Sequence, residues 1–108
     1  MSFAKGLIAE EKAANYLINK NFRVIDRNFY TKFGEIDIIA IKDNILYFVE
    51  VKSGDTFEPI YNITQAKLDK ITKSIYVFLA TKKLDIPYNI SSIVIHKKNL
   101  DFIENITF

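Results

Sequence analysis

The sequence predicts an α/β domain, a mixed central sheet flanked by helices, formed by residues 1–108 as a single unit. Three observations predict it. Helical and strand-like periodicities follow one another in the order helix, three strands, helix, two strands. The strands on either side of Asp43-Asn44 are apolar on both faces, as central strands covered from above and below must be. A chain of 108 residues that is 49% hydrophobic and 14% aromatic has material for one good core and no room for two.

Each element has its own signal. From Phe3 to Lys20 the good helix formers Ala4, Ala9, Ala13, Ala14 and Leu17 predict a helix, with Asn21 as its stop. Phe22 to Tyr30 reads as a strand. Glu35 to Lys42 and Ile45 to Lys52 are stronger strands, rich in β-branched and aromatic residues and joined by a tight hairpin at Asp43-Asn44. A loop is expected from Ser53 to Tyr61. Asn62, with Gln65 three residues on, predicts a capped helix start. Behind it Ile63, Ile71, Ile75, Phe78 and Leu79 form an apolar stripe at helical spacing that runs to about Lys82. Tyr88 to His96 and Asp101 to Phe108 read as two closing strands. Pro59 and Pro87 are isolated punctuation, and there is no repeat, low-complexity tract or linker.

Composition excludes several classes. No apolar run approaches the roughly 20 residues that span a bilayer, so no membrane partner is expected. The opening MSFAKGLIAEEK lacks the apolar stretch and cleavage site of a signal peptide. The absence of cysteine excludes a disulfide framework and a thiolate metal site, and fits the cytoplasm. A formal charge of +2 permits nucleic-acid binding without arguing for it. Arg23 and Arg27 are the only arginines, so contact with phosphates is better provided for than bidentate reading of bases.

The hairpin register carries most of the functional argument. If Lys42 pairs with Ile45, partner numbers sum to 87, which sets Asp37 opposite Glu50 and Glu35 opposite Lys52. Alternation puts these four on one face beyond Ile39–Phe48 and Ile41–Leu46, and puts Ile36, Ile38, Tyr47, Val49 and Val51 on the other. Two carboxylates opposed at about 5 Å repel, and both lose hydration at a covered sheet. A divalent cation such as Mg²⁺ relieves that repulsion, because hard ions take carboxylate oxygens. Lys52, on the same face, could then orient or deprotonate an attacking water or neutralise charge on a phosphate. The bland alternative is an ordinary Glu35–Lys52 ion pair with Asp37 and Glu50 at a solvated sheet end. A register slip of one residue would put Asp37 on the opposite face.

The first helix offers a further carboxylate. Glu10 shares a helix face with Phe3, Gly6, Ala14 and Leu17, whereas Glu11 is flanked by Leu7 and Ile18, and spacing leaves both open as a third metal ligand. Lys67 sits in the apolar stripe of the second helix between Ile63 and Ile71. It could snorkel past the stripe or direct its ammonium at a bound phosphate. His96, beside Lys97-Lys98, reads as exposed.

The motif order is a helix glutamate, an aspartate on one strand, E-x-K on the next, then a helix. It resembles that of the PD-(D/E)XK nuclease superfamily, whose restriction-endonuclease-like fold has an αβββαβ core. More narrowly, the residues are Gly6, Glu10, Ala13, Tyr16 and Leu17 in GLIAEEKAANYL, Arg27-Asn28 before GEIDIIA, FVEVK from Phe48 to Lys52, Lys67, and Ile103 to Phe108. In these the whole chain resembles the small bacterial proteins of the YraN family, described as predicted endonucleases. The resemblance implies that Asp37 and Glu50 bind Mg²⁺ or Mn²⁺, with the Val51 carbonyl as a further ligand. It also implies that Lys52 is the catalytic lysine, and it favours Glu10 over Glu11. The activity implied is a metal-dependent endonuclease on DNA. Similarity to the fold of Holliday-junction resolvases suggests a branched substrate and a homodimer.

The chain departs from the family at Ala9, Tyr30, Gly54 and Ser91 or Ser92, where a glycine, two arginines and an aspartate are common. The metal-binding set survives, while several cationic side chains that would grip a substrate do not. Two competing readings are a non-catalytic nucleic-acid-binding module and an interaction or scaffold protein that retains the nuclease fold.

Overall fold

The computed structural model describes residues 3–53, 63–96 and 99–106, with side chains from Gly6 onward. Helix α1 (Phe3–Asn19) is followed by strands β1 (Arg23–Thr31), β2 (Gly34–Lys42) and β3 (Ile45–Ser53), helix α2 (Gln65–Lys82), and strands β4 (Tyr88–His96) and β5 (Asn99–Ile103). The five strands lie in sequence order in one sheet, antiparallel except for the β3–β4 pair. That parallel pair requires a crossover, and α2 supplies it. The mixed sheet and its flanking helices are those expected of a restriction-endonuclease-like αβββαβ core, with β5 added at the edge.

The helices cover opposite faces. Ala9, Ala13, Ala14 and Leu17 of α1 pack on Ile38, Ala40, Tyr47, Val49, Ile93 and Ile95. Leu68, Ile71, Ile75 and Phe78 of α2 pack on Ile36, Ile39, Leu46, Phe48 and Ile90. Helix α1 meets the sheet mainly through small alanines, and α2 through larger aliphatic and aromatic side chains. Edge-to-face ring contacts stitch each layer, among them Phe22–Tyr47 on the α1 side and Phe48–Phe78 on the α2 side.

The chain reverses where asparagine, aspartate and lysine accept left-handed backbone. After α1, Asn21 (φ 71°) donates its N–H to the Ile18 carbonyl and Phe22 donates to Leu17, a Schellman ending that Asn21 tolerates well. Asp43 (φ 52°) and Asn44 (φ 62°) make the tight turn between β2 and β3. That turn fixes the expected register, with Lys42 opposite Ile45 and Ile38 opposite Val49.

Two boundaries and one exposure differ from expectation. Thr64, extended at φ −80° and ψ 161°, caps α2 by accepting the Lys67 N–H at 3.1 Å. Gln65 is therefore the first helical residue and bonds Asp69 instead of closing a capping box. Asn62, the expected cap, lies outside the described residues, as do most of the expected 53–61 loop, Lys97-Lys98 and Phe108. The last strand is shorter than expected. Left-handed Asn105 (φ 57°) turns the chain so that Ile106 donates to the Ile90 carbonyl at 2.7 Å. His96 is also not the exposed side chain expected, since only 17% of it is exposed and Nε2 lies 3.2 Å from Asp101.

Candidate metal centre and basic cleft

The strand alternation breaks where the chemistry is expected. Ile38 faces α1, yet Ile36, two residues away, faces α2. On the neighbouring strand Arg27 pairs with Ile38 and Phe29 with Ile36, with left-handed Asn28 (φ 53°) between them. Both strands therefore turn over together at Asn28 and Asp37. Ile36, expected on the face of Ile38, is corrected to the α2 face for this reason.

The same point ends the β2–β3 pairing. Ile38–Val49 is its last pair, although β2 extends back to Gly34 and β3 onward to Ser53. Asp37 is thus not a ladder partner of Glu50, nor Glu35 of Lys52, as the extrapolated register had them. Asp37 Oδ2 instead accepts the Val51 N–H at 2.8 Å, bridging the parted strands with its side chain. This bond also fixes the backbone at the residue whose carbonyl is a candidate ligand.

Carboxylates converge on this gap from three elements. One carboxylate oxygen each from Glu10, Glu35 and Asp37 lies within 4.8 Å of the other two. Glu10 arrives from α1, where Oε1 is buried without a hydrogen-bond partner. Glu11, one residue on, turns away to pair with Arg27 at 3.0 Å, which separates two residues that helical spacing left equivalent. Glu50, 5% exposed, is the deepest acid among the described residues, and Ser92 Oγ donates to its backbone carbonyl at 3.2 Å.

The electrostatics follow from this crowding. Burial, then the Asp37 charge and a hydrogen bond that the neutral Glu50 carboxyl donates to the Asp37 carboxyl group, push Glu50 up from 4.5 to about 9. Burial raises Glu10 and Glu35 as well, and Asp37 adds to both. Glu10 and Glu35 crowded against Asp37, with Asp37 against buried Glu50, are a poor device for stability, and an oxygen-only donor set suits a hard divalent cation. The orphaned Glu10 oxygen fits the same use, so the residues present suit Mg²⁺ or Mn²⁺.

Cations stand on the α2 side. Lys52 and Lys67 are close enough to hydrogen-bond, and that contact, with burial and the Lys67 charge, lowers the Lys52 pKa. Both ammoniums also act on Glu50. Lys67 therefore belongs to the site and does not merely snorkel past its helix stripe. Beyond it opens a cleft of about 400 Å³ between α2 and the β1–β2 turn, lined by Phe33, Glu35, Glu50, Lys67, Lys70 and Ser74, among others.

All the expected site residues meet here: Glu10, Asp37, Glu50, Val51, Lys52 and Lys67. Sequence reasoning missed Glu35 as a member of the acidic group, having paired it with Lys52. Its position two residues before Asp37 was the signal available. Lys70 and Phe33 were missed because nothing in their spacing marks the cleft.

A family model described as the uncharacterised protein family UPF0102 matches residues 9–104. The chain belongs to that family. It is the family of the YraN proteins resembled in sequence. A UPF0102 protein of Wolinella succinogenes is 52% identical over 107 residues, covering 99% of each chain. One from Helicobacter hepaticus is 48% identical over 103 residues, 95% of this chain and 94% of the other. One from Helicobacter pylori is 47% identical over 105 residues, 97% and 92%. The matched span holds every residue of the UPF0102 site described above, from Glu10 to Ser92. No described helix is long and apolar enough to cross a membrane.

Proposed function

We propose that this UPF0102 chain is a Mg²⁺- or Mn²⁺-dependent endonuclease that hydrolyses phosphodiester bonds in DNA. The observation that carries the reading is the convergence of Glu10, Glu35, Asp37 and Glu50 on one gap, with Lys52 and Lys67 beside it. Asp37, Glu50, Glu10 and Glu35 would hold the cation, with the Val51 carbonyl as a further ligand. The bound ion supplies Lewis-acid polarisation of a phosphoryl oxygen and offsets the charge that builds there.

The chain's own groups do the rest. Lys52, with its lowered pKa, is suited to take a proton from the attacking water or to donate one as charge develops. Lys67 meets a phosphate oxygen as a point charge. Glu50, whose pKa is raised to about 9, would have to lose its proton to solvent to serve as a carboxylate ligand. DNA as partner, a homodimeric assembly and a cytoplasmic location belong to the same reading.

The test is cleavage of labelled linear, flapped, single-stranded and four-way DNA with Mn²⁺, Mg²⁺ or EDTA. Metal-dependent cutting is expected, and Lys52→Ala should reduce it by about 10²-fold or more. Failure to cut any of these DNAs with either metal overturns the reading.

A further inference from the structure

We infer that Phe33 is a stacking platform for an unpaired nucleotide, so that the proposed nuclease takes DNA in which the nucleotides beside the cleaved bond are single-stranded. This rests on the nuclease reading for its catalytic meaning, but the binding subsite stands on its own observations. Lys32 and Phe33 form the two-residue turn between the paired residues Thr31 and Gly34, and Phe33 and Gly34 line the cleft. Gly34 leaves this turn at φ +144°, a backbone that L side chains rarely adopt.

The turn is anchored. The Phe33 N–H donates to Thr31 Oγ1 at 3.0 Å, and that hydroxyl lies 2.7 Å from Ser74 Oγ on α2. Ser74 is 1% exposed, so the bond ties the turn to the helix interior. These bonds hold the backbone that carries the half-buried ring, so the turn has little freedom left to lose on binding.

Charge surrounds the ring. Lys32 Nζ lies 5.3 Å and Lys73 Nζ 5.5 Å from its centroid. Lys67 and Lys70 line the cleft that leads from it to Glu50. An aromatic face among ammoniums is the arrangement with which proteins hold single strands, bases stacking while cations follow the phosphates. Such a base replaces a weak, exposed cation–π contact, and the freed lysine can meet its phosphate. A cleft of about 400 Å³ suits a ligand the size of a nucleotide unit. A fully paired duplex, whose bases are stacked on each other, offers no face to Phe33.

The test is fluorescence anisotropy of the full chain with a labelled 20-nucleotide oligothymidylate and with a blunt duplex of the same length. Each is titrated in EDTA and in Ca²⁺, with gels confirming intact DNA. The wild type is expected to bind the single strand more tightly, and Phe33→Ala should weaken that binding by roughly 5- to 150-fold. Phe33→Tyr should keep the affinity, and Phe33→Leu, which keeps apolar bulk without a π face, should lose it. Tyr76→Ala, an exposed aromatic on α2 outside the cleft lining, should bind as the wild type does. Tighter binding to the duplex, no binding to either DNA, or full affinity in Phe33→Ala or Phe33→Leu overturns the subsite. Melting curves identify variants that fail to fold, and the Leu–Tyr comparison then decides. Phe33-dependent binding without metal-dependent cutting would sink the nuclease and spare the subsite; cutting with Phe33-independent binding would do the reverse.

Discussion

Asp37 Oδ2 takes the backbone N–H of Val51 at 2.8 Å, in the gap where strands β2 and β3 have stopped pairing. One carboxylate thus does two jobs. It satisfies a backbone donor that has lost its ladder, and it sits against Glu10, Glu35 and Glu50. The weakness in the sheet and the cluster of acids are one feature.

Cation binding should separate Glu10 from its neighbour. Mn²⁺ at ten times its Kd should stabilise the wild type by about 1.4 kcal/mol, raising Tm by about 5–10 °C. Glu10→Gln should lose most of that shift. Glu11→Gln removes only the exposed pair with Arg27, should change stability by no more than about 1 kcal/mol, and should keep the Mn²⁺ response. Thermal denaturation with and without Mn²⁺ reads both.

Glu50 should make stability depend on pH in an unusual direction. Its pKa rises from 4.5 in the unfolded chain to about 9 in the folded one. Between those values the folded state holds a proton that the unfolded state has released, so metal-free stability falls as pH rises. Glu10 and Glu35, also raised, act with the same sign. Glu50→Gln keeps the neutral form and should raise metal-free stability at pH 8 by at least about 1 kcal/mol. The Mn²⁺ shift of the wild type should grow over the same range, because the cation needs the ionised carboxylate. Urea titrations at pH 5 and pH 8 measure these slopes.

Lys67 should tune Lys52. Removing the neighbouring ammonium in Lys67→Met lifts the Lys52 pKa, since Lys67 supplies the largest cause of its lowering. If cleavage needs neutral Lys52, the acid limb of the pH–rate profile moves to higher pH. An unmoved limb would show that Lys52 acts as a cation.

Lys83 holds an αL backbone, φ 54° and ψ 47°, at the end of α2, where its N–H and that of Leu84 bond back to Ala80 and Leu79. Glycine adopts that conformation without a Cβ clash, so Lys83→Gly should stabilise the fold by about 1 kcal/mol. The exposed site is remote from the acidic gap, so the Mn²⁺ response should not change. Equilibrium unfolding checks it.

Much of this was legible before the structure. Asp43-Asn44 fixed the register of β2 and β3 because a two-residue left-handed turn leaves few alternatives. Asn21 marked the end of α1, and the apolar stripe from Ile63 to Leu79 marked the helix that crosses the sheet. Glu35 was misassigned because alternation was extended through a point where it does not hold. Asn28 carries the left-handed twist on the neighbouring strand, and a lone asparagine in a strand gives no such warning in sequence.

The sequence by itself determined the order of elements, the hairpin and the residue types that could meet, since these follow from local propensity and periodicity. Only the tertiary structure decided which carboxylates converge. Glu10 rather than Glu11 enters the group because α1 crosses the sheet with its alanine face down and Arg27 draws Glu11 aside. Glu35 joins because β1 and β2 turn over together at Asn28 and Asp37. Lys67 reaches Lys52 because the α2 crossover lays its helix on the face to which Glu50 and Lys52 point. Distances between elements depend on packing, and packing is a property of the whole chain.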